Sequence, residues 1–189
     1  GLVVLLLAVS IGRCAVTGYN QAIAIDEGVK QKWAQVENVL QRRYDLIPNL
    51  VETVKGVAAQ EQTVFLGIAE ARKAYFQARD TGTVGEQAAA ASGVERALSR
   101  LLVLQEQYPQ LKSNESFLKL QDELAGTENR VAVERKRYNE SVQELNTFVR
   151  RFPTSLYASL AGVKEADYFE VPPEAKQAPK VDFSTEKKT

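Results

Sequence analysis

The sequence predicts an all-α protein: a membrane-anchored, antiparallel up-and-down bundle of long helices that ends in an extended C-terminal strap. Three observations predict this fold. The chain starts with an uncharged apolar run, apolar residues recur at heptad-like spacing through its body, and three prolines interrupt its last part. We therefore divide the chain into an anchor (1–18), a helical bundle (19–162) and an extended tail (163–189).

The composition excludes several classes of function. Lys plus Arg and Asp plus Glu both number 24, so the formal net charge is zero. Nucleic-acid-binding proteins usually carry a basic excess, so we expect no nucleic-acid partner. Histidine is absent and Cys14 is the single cysteine, which removes the commonest acid–base residue and any cysteine metal cluster. We expect no catalytic residues, no cofactor and no metal, and hence no enzyme.

The N-terminal run has three interpretations. Residues 1–12 carry no charge and would cover about 18 Å of a hydrocarbon layer roughly 30 Å thick. Arg13 follows, and near a helix end it can extend its charge to the headgroups. We favour a transmembrane signal-anchor over a cleaved signal peptide or a lipoprotein signal acylated at Cys14, because Arg13 stands where a lipoprotein needs a small residue. The anchor residues are Leu2, Val3, Val4, Leu5, Leu6, Leu7, Val9 and Ile11.

The body of the chain predicts long helices packed at shallow angles. From Val29 to Tyr75 apolar residues recur at alternating steps of four and three, as in coiled coils, with Arg43 and Glu61 in the two skipped positions. This phase predicts one helix from the membrane to about Arg79, on the order of 90 Å long. Pro48 would then kink that helix, because it lacks a backbone donor. The alternative ends a first helix near Leu46 and starts a second at Pro48.

Local signals predict the later boundaries. Asp80–Gly85 is a turn, and Pro109 ends the next helix. Ser113 or Asn114 caps a third long helix that Pro153 stops, with Gly126–Thr127 as its weak point.

The tail follows a short fourth helix, Thr154–Ala161, which Gly162 caps. Residues 164–183 hold the three prolines, so we expect an extended strap there. Its docking residues are Tyr168, Phe169, Val181 and Phe183.

The densest polar cluster on the apolar seam is the candidate interaction site. It comprises Arg42, Arg43, Tyr44, Asp45 and Asn49. One interpretation is a recognition patch for a partner helix. The structural interpretation, which we prefer, pairs Arg43 with Asp45 or with a glutamate of the third long helix such as Glu134, because a buried unpaired arginine costs several kcal/mol. Asn49 would then bind a carbonyl freed by Pro48.

The stretch Trp33–Gly56, WAQVENVLQRRYDLIPNLVETVKG, resembles the central signature of the LemA family. Agreement continues, in order, over nearly the whole chain, at Tyr19–Asn20, Glu70–Arg72, Tyr108–Lys112, Arg137–Asn139, Phe152–Pro153 and Pro179–Phe183. Two departures are Val57, where an aromatic is usual, and Arg13–Cys14 at the membrane exit.

The resemblance implies an N-terminal membrane segment, an all-α bundle and no established enzymatic activity. A family relative in magnetotactic bacteria is tied to building the magnetosome membrane, and neighbouring genes often encode membrane proteases. We therefore expect a bacterial membrane protein with a structural or assembly role, whose partners are the lipid bilayer and further copies of itself. The alternative is an adaptor that docks another membrane protein, such as a protease. Arg13, Lys30 and Lys32 flank the anchor and favour a cytoplasmic bundle.

Overall fold

The computed structural model describes residues 1–170, apart from the side chains of residues 4, 5, 7, 8 and 11. Over those residues the regular structure is entirely helical. The elements are α1 (Leu2–Asp45), α2 (Ile47–Lys55), α3 (Gln62–Thr81), α4 (Val84–Gln107), a 3-10 turn (Pro109–Ser113), α5 (Glu115–Arg150) and α6 (Thr154–Ala161). Val181 and Phe183, half of the predicted docking residues, lie outside the described part of the chain.

Two antiparallel helix pairs build the bundle. In the first pair, α1 packs along α5: the Trp33 ring lies 5.0 Å from the Tyr138 ring, and Arg43, further along α1, reaches the earlier Leu124 on α5. In the second pair, α3 and α4 form a hairpin that covers the end of α1. There the Tyr44 ring meets the Tyr75 ring edge-on at 4.7 Å. Both pairs share one apolar core.

The predicted single kinked helix is wrong, and the alternative with a break at Leu46 is correct. Helix α1 ends at Asp45, and α2 begins at Ile47 with Pro48 in its first turn. Leu46 keeps right-handed helical angles (φ −77°, ψ −22°), so the chain bends without leaving the helical region. Pro48 causes the break because it has no N–H to offer the carbonyl of Tyr44 and its ring crowds that carbonyl.

A second break follows at residues 56–61, which the heptad spacing of the sequence did not predict. The chain turns after Lys55, and α3 runs back beside α1, so that Arg79 lies near Gln41. The heptad spacing continues across this reversal: Ile68 and Tyr75 are buried in the core as the spacing predicts, but they belong to α3 and not to a continuation of α1. The predicted rod of about 90 Å is therefore replaced by a shorter folded bundle.

The locally signalled boundaries agree with prediction. Thr83 and Glu86 form a reciprocal capping box at the start of α4. Asn114 caps α5 by accepting a hydrogen bond from the Phe117 amide at 2.9 Å. Helix α5 passes Gly126–Thr127 without a break, and the expected weakness there stays a prediction. Gly162 ends α6 with φ at +71°, the left-handed conformation that favours glycine.

The first part of α1 extends beyond the bundle. Its described side chains from Leu2 to Thr17 are exposed, apart from half-buried Ala15. Among the positions whose burial the structure describes, Gly18 and Ala22 are the first buried ones, and both lie against α6. None of the helices in residues 1–170 combines the length and apolar character needed to cross a bilayer. The single-pass anchor stays a prediction.

Candidate functional site

Arg43 occupies the junction of α1, α4 and α5 and is only 4% exposed. Its Nε and Nη2 atoms donate to the two carboxylate oxygens of Glu95 at 2.8 and 2.7 Å. Its Nη1 atom donates to the Leu124 carbonyl and, at 3.1 Å, to Thr127 Oγ1. A carboxylate oxygen of Glu128 lies 3.8 Å away. The guanidinium therefore connects three helices, and two-point pairing of this kind is the strongest arginine–carboxylate contact.

A glutamate of the third long helix does lie near Arg43, as expected, but it is Glu128 at 3.8 Å, and the main partner is Glu95 on α4. Glu134 accepts a hydrogen bond from Arg137 at 2.7 Å and does not pair with Arg43. Asp45 accepts from Gln41 at 3.0 Å and lies 3.4 Å from Arg72 Nη2, so it also does not pair with Arg43.

Helical geometry explains how the cluster divides. Successive side chains on a helix point about 100° apart, so a short run cannot place all of its members in the core. Arg43 and Tyr44 are buried, whereas Arg42, Asp45 and Asn49 are exposed. The structure therefore brings together two of the five residues, and three remain on the surface.

Burial and hydrogen bonding together set the pKa values at this junction. Burial alone would lower the pKa of Arg43, but its hydrogen bonds to Glu95 outweigh that cost and hold the pKa above the ordinary value. Burial raises the pKa of Tyr44 and of Tyr75 well above the usual tyrosine value, since a phenolate is poorly solvated there. Both phenols are therefore neutral at physiological pH.

An open cavity of about 440 Å³ lies beside Arg43 between α1, α4 and α5. Charged and apolar side chains line it, and the charged ones are Arg43, Glu95, Arg96, Glu128 and Arg135. The Arg135 guanidinium lies 4.8 Å from the Phe169 ring, and burial lowers its pKa. Within residues 1–170 its buried Nε atom has no hydrogen-bond partner. The cavity can accept an acidic group there, whereas no three Cys, Asp or Glu side chains in the described residues converge to hold a metal ion.

Two asparagines on α5 bind the backbone of the extended segment 163–170. Asn146 accepts from the Ala166 amide at 2.9 Å and donates to the Ala166 carbonyl at 3.0 Å. Asn139 makes the same pair of bonds with Phe169, at 2.9 and 3.2 Å. These four bonds replace the partners that an extended backbone lacks when it leaves a helix. They define a clamp that recognises backbone and not side chains.

Phe169 fixes the far end of the segment. Its buried ring lies 5.8 Å from the ring of half-buried Trp33, and Tyr138 donates to the Asp167 carbonyl at 2.8 Å. Tyr168 points outward and is exposed. Neither Asn146 nor Asn139 was predicted to have this role. The sequence does hold one indication of these two asparagines. They are seven residues apart, so they lie on one face of the helix, and each directly follows a core residue, Tyr138 or Leu145.

The family model of LemA matches residues 32–183, which is most of the chain. The chain belongs to the LemA family. The match includes the Arg43 junction, the cavity and the asparagine clamp, so all three are features of its LemA region. It begins after the exposed first part of α1.

Curated relatives of this LemA protein include the magnetosome protein MamQ of Magnetospirillum gryphiswaldense and the magnetosome proteins MamQ 1 and MamQ 2 of Paramagnetospirillum magneticum. Each is 27% identical over 178 residues, covering 82% of this chain. The match spans 65% of each relative, slightly under two thirds of its length.

Proposed function

We propose that this protein is a non-enzymatic structural or assembly protein that attaches to a bacterial membrane through the first part of α1 and associates there with further copies of itself. The observation that carries the proposal is the apolar surface of that segment. Leu2, Val3, Leu6 and Val9 are all exposed on a helix that continues without a break into the bundle. Exposed apolar side chains at this density mark a membrane or protein contact.

The relatives support a membrane-linked role, because their names assign them to the magnetosome. A catalytic role has little to build on, since the whole chain lacks histidine. On the flank of the anchor, Arg13, Lys30 and Lys32 favour the cytoplasmic face for the bundle. Protease added to intact cells should then spare the bundle, whereas digestion would place it on the outer face.

Exposed apolar side chains on the surface of the bundle support self-association. Leu66 on α3 and Val103 on α4 are 62% and 57% exposed, and Leu118 and Val133 on α5 are exposed as well. A second copy that covered these side chains would remove apolar area from water.

Two double variants of the full chain test the proposal. Leu6→Gln with Val9→Gln should abolish flotation with liposomes while the bundle stays folded. Leu66→Gln with Val103→Gln changes side chains of similar exposure, so it should leave flotation intact and lower the oligomer mass measured by sedimentation velocity in detergent. Flotation that the first variant leaves unchanged would contradict attachment through α1. A monomeric wild-type protein at all concentrations would contradict self-association.

A second candidate function is an adaptor for another membrane protein, and the cavity beside Arg135 favours it. That cavity combines apolar side chains with three arginines and two glutamates, and the Nε atom of Arg135 has no partner within the described residues. The excess of arginines suits an acidic side chain of a partner. Crosslinking in native membranes would test it, with Arg135→Gln expected to remove a partner band and the exposed Arg130→Gln to retain it. Recovery of self-crosslinks alone would contradict the adaptor role.

A further inference from the structure

Helix α6 lies at the end of the bundle from which the apolar part of α1 extends. It contacts α1 so closely that a Cβ added at Gly18 would lie 2.2 Å from Tyr157 Cδ2. Ala158 is fully buried in a small cluster with Ala22 and Phe148. The inner face of α6 is therefore fixed to α1 where the exposed segment begins.

The outer face of α6 is apolar as well. Phe152, just before the helix, is 78% exposed, and Leu156 and Leu160 are 60% and 72% exposed. These residues follow one another at steps of four, so the two leucines share one stripe of the helix, with Phe152 at the corner between α5 and α6. Such a surface on a short helix, already packed on its other face, is unusual for a helix that faces only water.

Charge separates this end of the molecule from the rest. Residues 1–25 and 151–164 contain no Asp or Glu and three basic residues, Arg13, Arg151 and Lys164. Their net charge is +3, so the remainder of the chain carries −3. Glutamates border this end: Glu165 pairs with Arg150, and Glu144 lines a groove with Arg151 and Thr154. Apolar side chains set in a surface with this basic excess match the chemistry of an anionic bilayer, which offers a hydrocarbon interior beneath negative headgroups.

We infer that α6 and the corner before it form a second membrane contact, which places Phe152, Leu156 and Leu160 in the headgroup region of an anionic bilayer beside α1. The inference rests on the proposed membrane attachment and names the lipid class and a further contact surface. A second copy of the chain is the less suitable occupant, because two like surfaces with a basic excess repel each other.

Site-specific fluorescence on the full chain tests the two contacts separately. The native Cys14 is exposed and carries an environment-sensitive dye on α1. A Cys14→Ser, Leu160→Cys variant carries the same dye on α6, and Cys14→Ser, Gln77→Cys carries it on exposed α3 as the control. Each protein is mixed with vesicles of phosphatidylglycerol and phosphatidylcholine, with and without lipids that bear a shallow spin-label quencher.

We expect lipid quenching at positions 14 and 160 and none at position 77. Quenching at 14 but not at 160 would overturn the α6 contact and leave the proposed function standing. Quenching at 160 alone would retain the α6 contact and overturn insertion of α1, and quenching at neither would overturn both. A concentration-dependent change at 160 without lipid quenching would assign the surface to a second copy and overturn the inference.

Affinity provides a second measurement. The triple variant Phe152→Gln, Leu156→Gln, Leu160→Gln changes only exposed positions, so its helix content should stay unchanged. We expect its affinity for the anionic vesicles to fall at least tenfold. Exposed Tyr168 lies outside both proposed contact surfaces, so Tyr168→Gln should leave that affinity within about twofold. An equal loss in both variants would overturn the inference.

Discussion

Arg43 shows how one side chain can connect helices that are distant in sequence. Its five donors fit a planar fork, and four of its contacts reach Glu95, the Leu124 carbonyl and Thr127. Lysine would keep the charge but could not make the two-point bond to Glu95 and the contacts with α5 together.

We therefore predict that Arg43→Lys lowers the free energy of unfolding by about 2 kcal/mol, since hydrogen bonds to charged groups and a buried carbonyl are lost. Urea unfolding followed by circular dichroism measures the change. The neighbouring Arg42→Lys is the control, because Arg42 is exposed and should tolerate the exchange. Equal stability of the two variants would refute the role given to the junction.

The sequence could predict that Arg43 needed a partner, but not which partner. Its position on the apolar seam is visible in the heptad phase, and the cost of burying it alone is general. The choice of Glu95 over Glu134 depends on the rotation of α4 and α5 about their axes, which no local pattern specifies. The clamp could not be predicted for the same reason. Asn139 and Asn146 gain their hydrogen-bond partners only when residues 163–170 pack across α5 in the folded protein.

At the scale of the elements, the contact between α1 and α6 depends on Gly18. Alanine normally stabilises a helix interior by about 0.5–1 kcal/mol relative to glycine. At Gly18 the added Cβ would meet the Tyr157 ring at 2.2 Å, whereas at Gly28 it would meet nothing within 4 Å.

We predict that Gly28→Ala raises the melting temperature of the full chain in detergent and that Gly18→Ala lowers it. The ring must move by more than 1 Å to restore ordinary contact, which separates α6 from α1. Adding Tyr157→Ala to Gly18→Ala should recover part of the loss. If Gly18→Ala stabilises as much as Gly28→Ala, the close packing described here is incorrect.

The clamp on α5 makes a prediction for the extended segment. Asn146→Ala should speed hydrogen exchange at the Ala166 amide by about tenfold, because two bonds together worth roughly 1.4 kcal/mol are lost. Asn139→Ala should do the same at the Phe169 amide. Exposed Gln143 lies between them on α5, so Gln143→Ala should change neither amide. Uniform acceleration in all three variants would mean that the asparagines do not hold the segment.

Element boundaries were predictable where they depend on neighbouring residues alone. Pro153, Gly162 and Asn114 act through missing donors, left-handed backbone or a capping side chain, and each works within one helical turn. The reversal at residues 56–61 was not predictable in this way. An apolar repeat predicts which residues are buried. It cannot distinguish one continuous helix from two helices that fold back beside each other, because both bury the same residues.

At the scale of the whole molecule, buried tyrosines couple stability to alkaline pH. Burial raises the pKa of Tyr44 and Tyr75 beyond the ordinary value, and it raises that of Tyr138 to about 12. In the unfolded chain each phenol ionises near pH 10, so the unfolded state loses protons first. The stability that the protonated tyrosines contribute to the folded state is therefore fully present below pH 10 and is lost as the pH rises above 10.

We predict that ionisation of these tyrosines leaves the free energy of unfolding unchanged up to about pH 10. From pH 10 to 12 the free energy of unfolding should fall by up to about 1.4 kcal/mol per pH unit for each tyrosine. Urea unfolding at stepped pH, with tyrosinate absorbance recorded in parallel, measures it. Tyr44→Phe should give a shallower decline, because one of the three groups no longer titrates. An identical slope in wild type and variant would show that Tyr44 does not contribute.

Helix α1 is one uninterrupted element from Leu2 to Asp45, and the stretch between Gly18 and Asp45 alone is about 40 Å long. A continuous helix of this length acts as a lever arm. A rotation of roughly 10° at its emerging end would sweep the opposite tip sideways by about 7 Å, more than one helical turn. Under the proposed membrane attachment and self-association, a change in local membrane slope would reach the α3–α4 hairpin as a displacement large enough to make or break contacts between neighbouring copies.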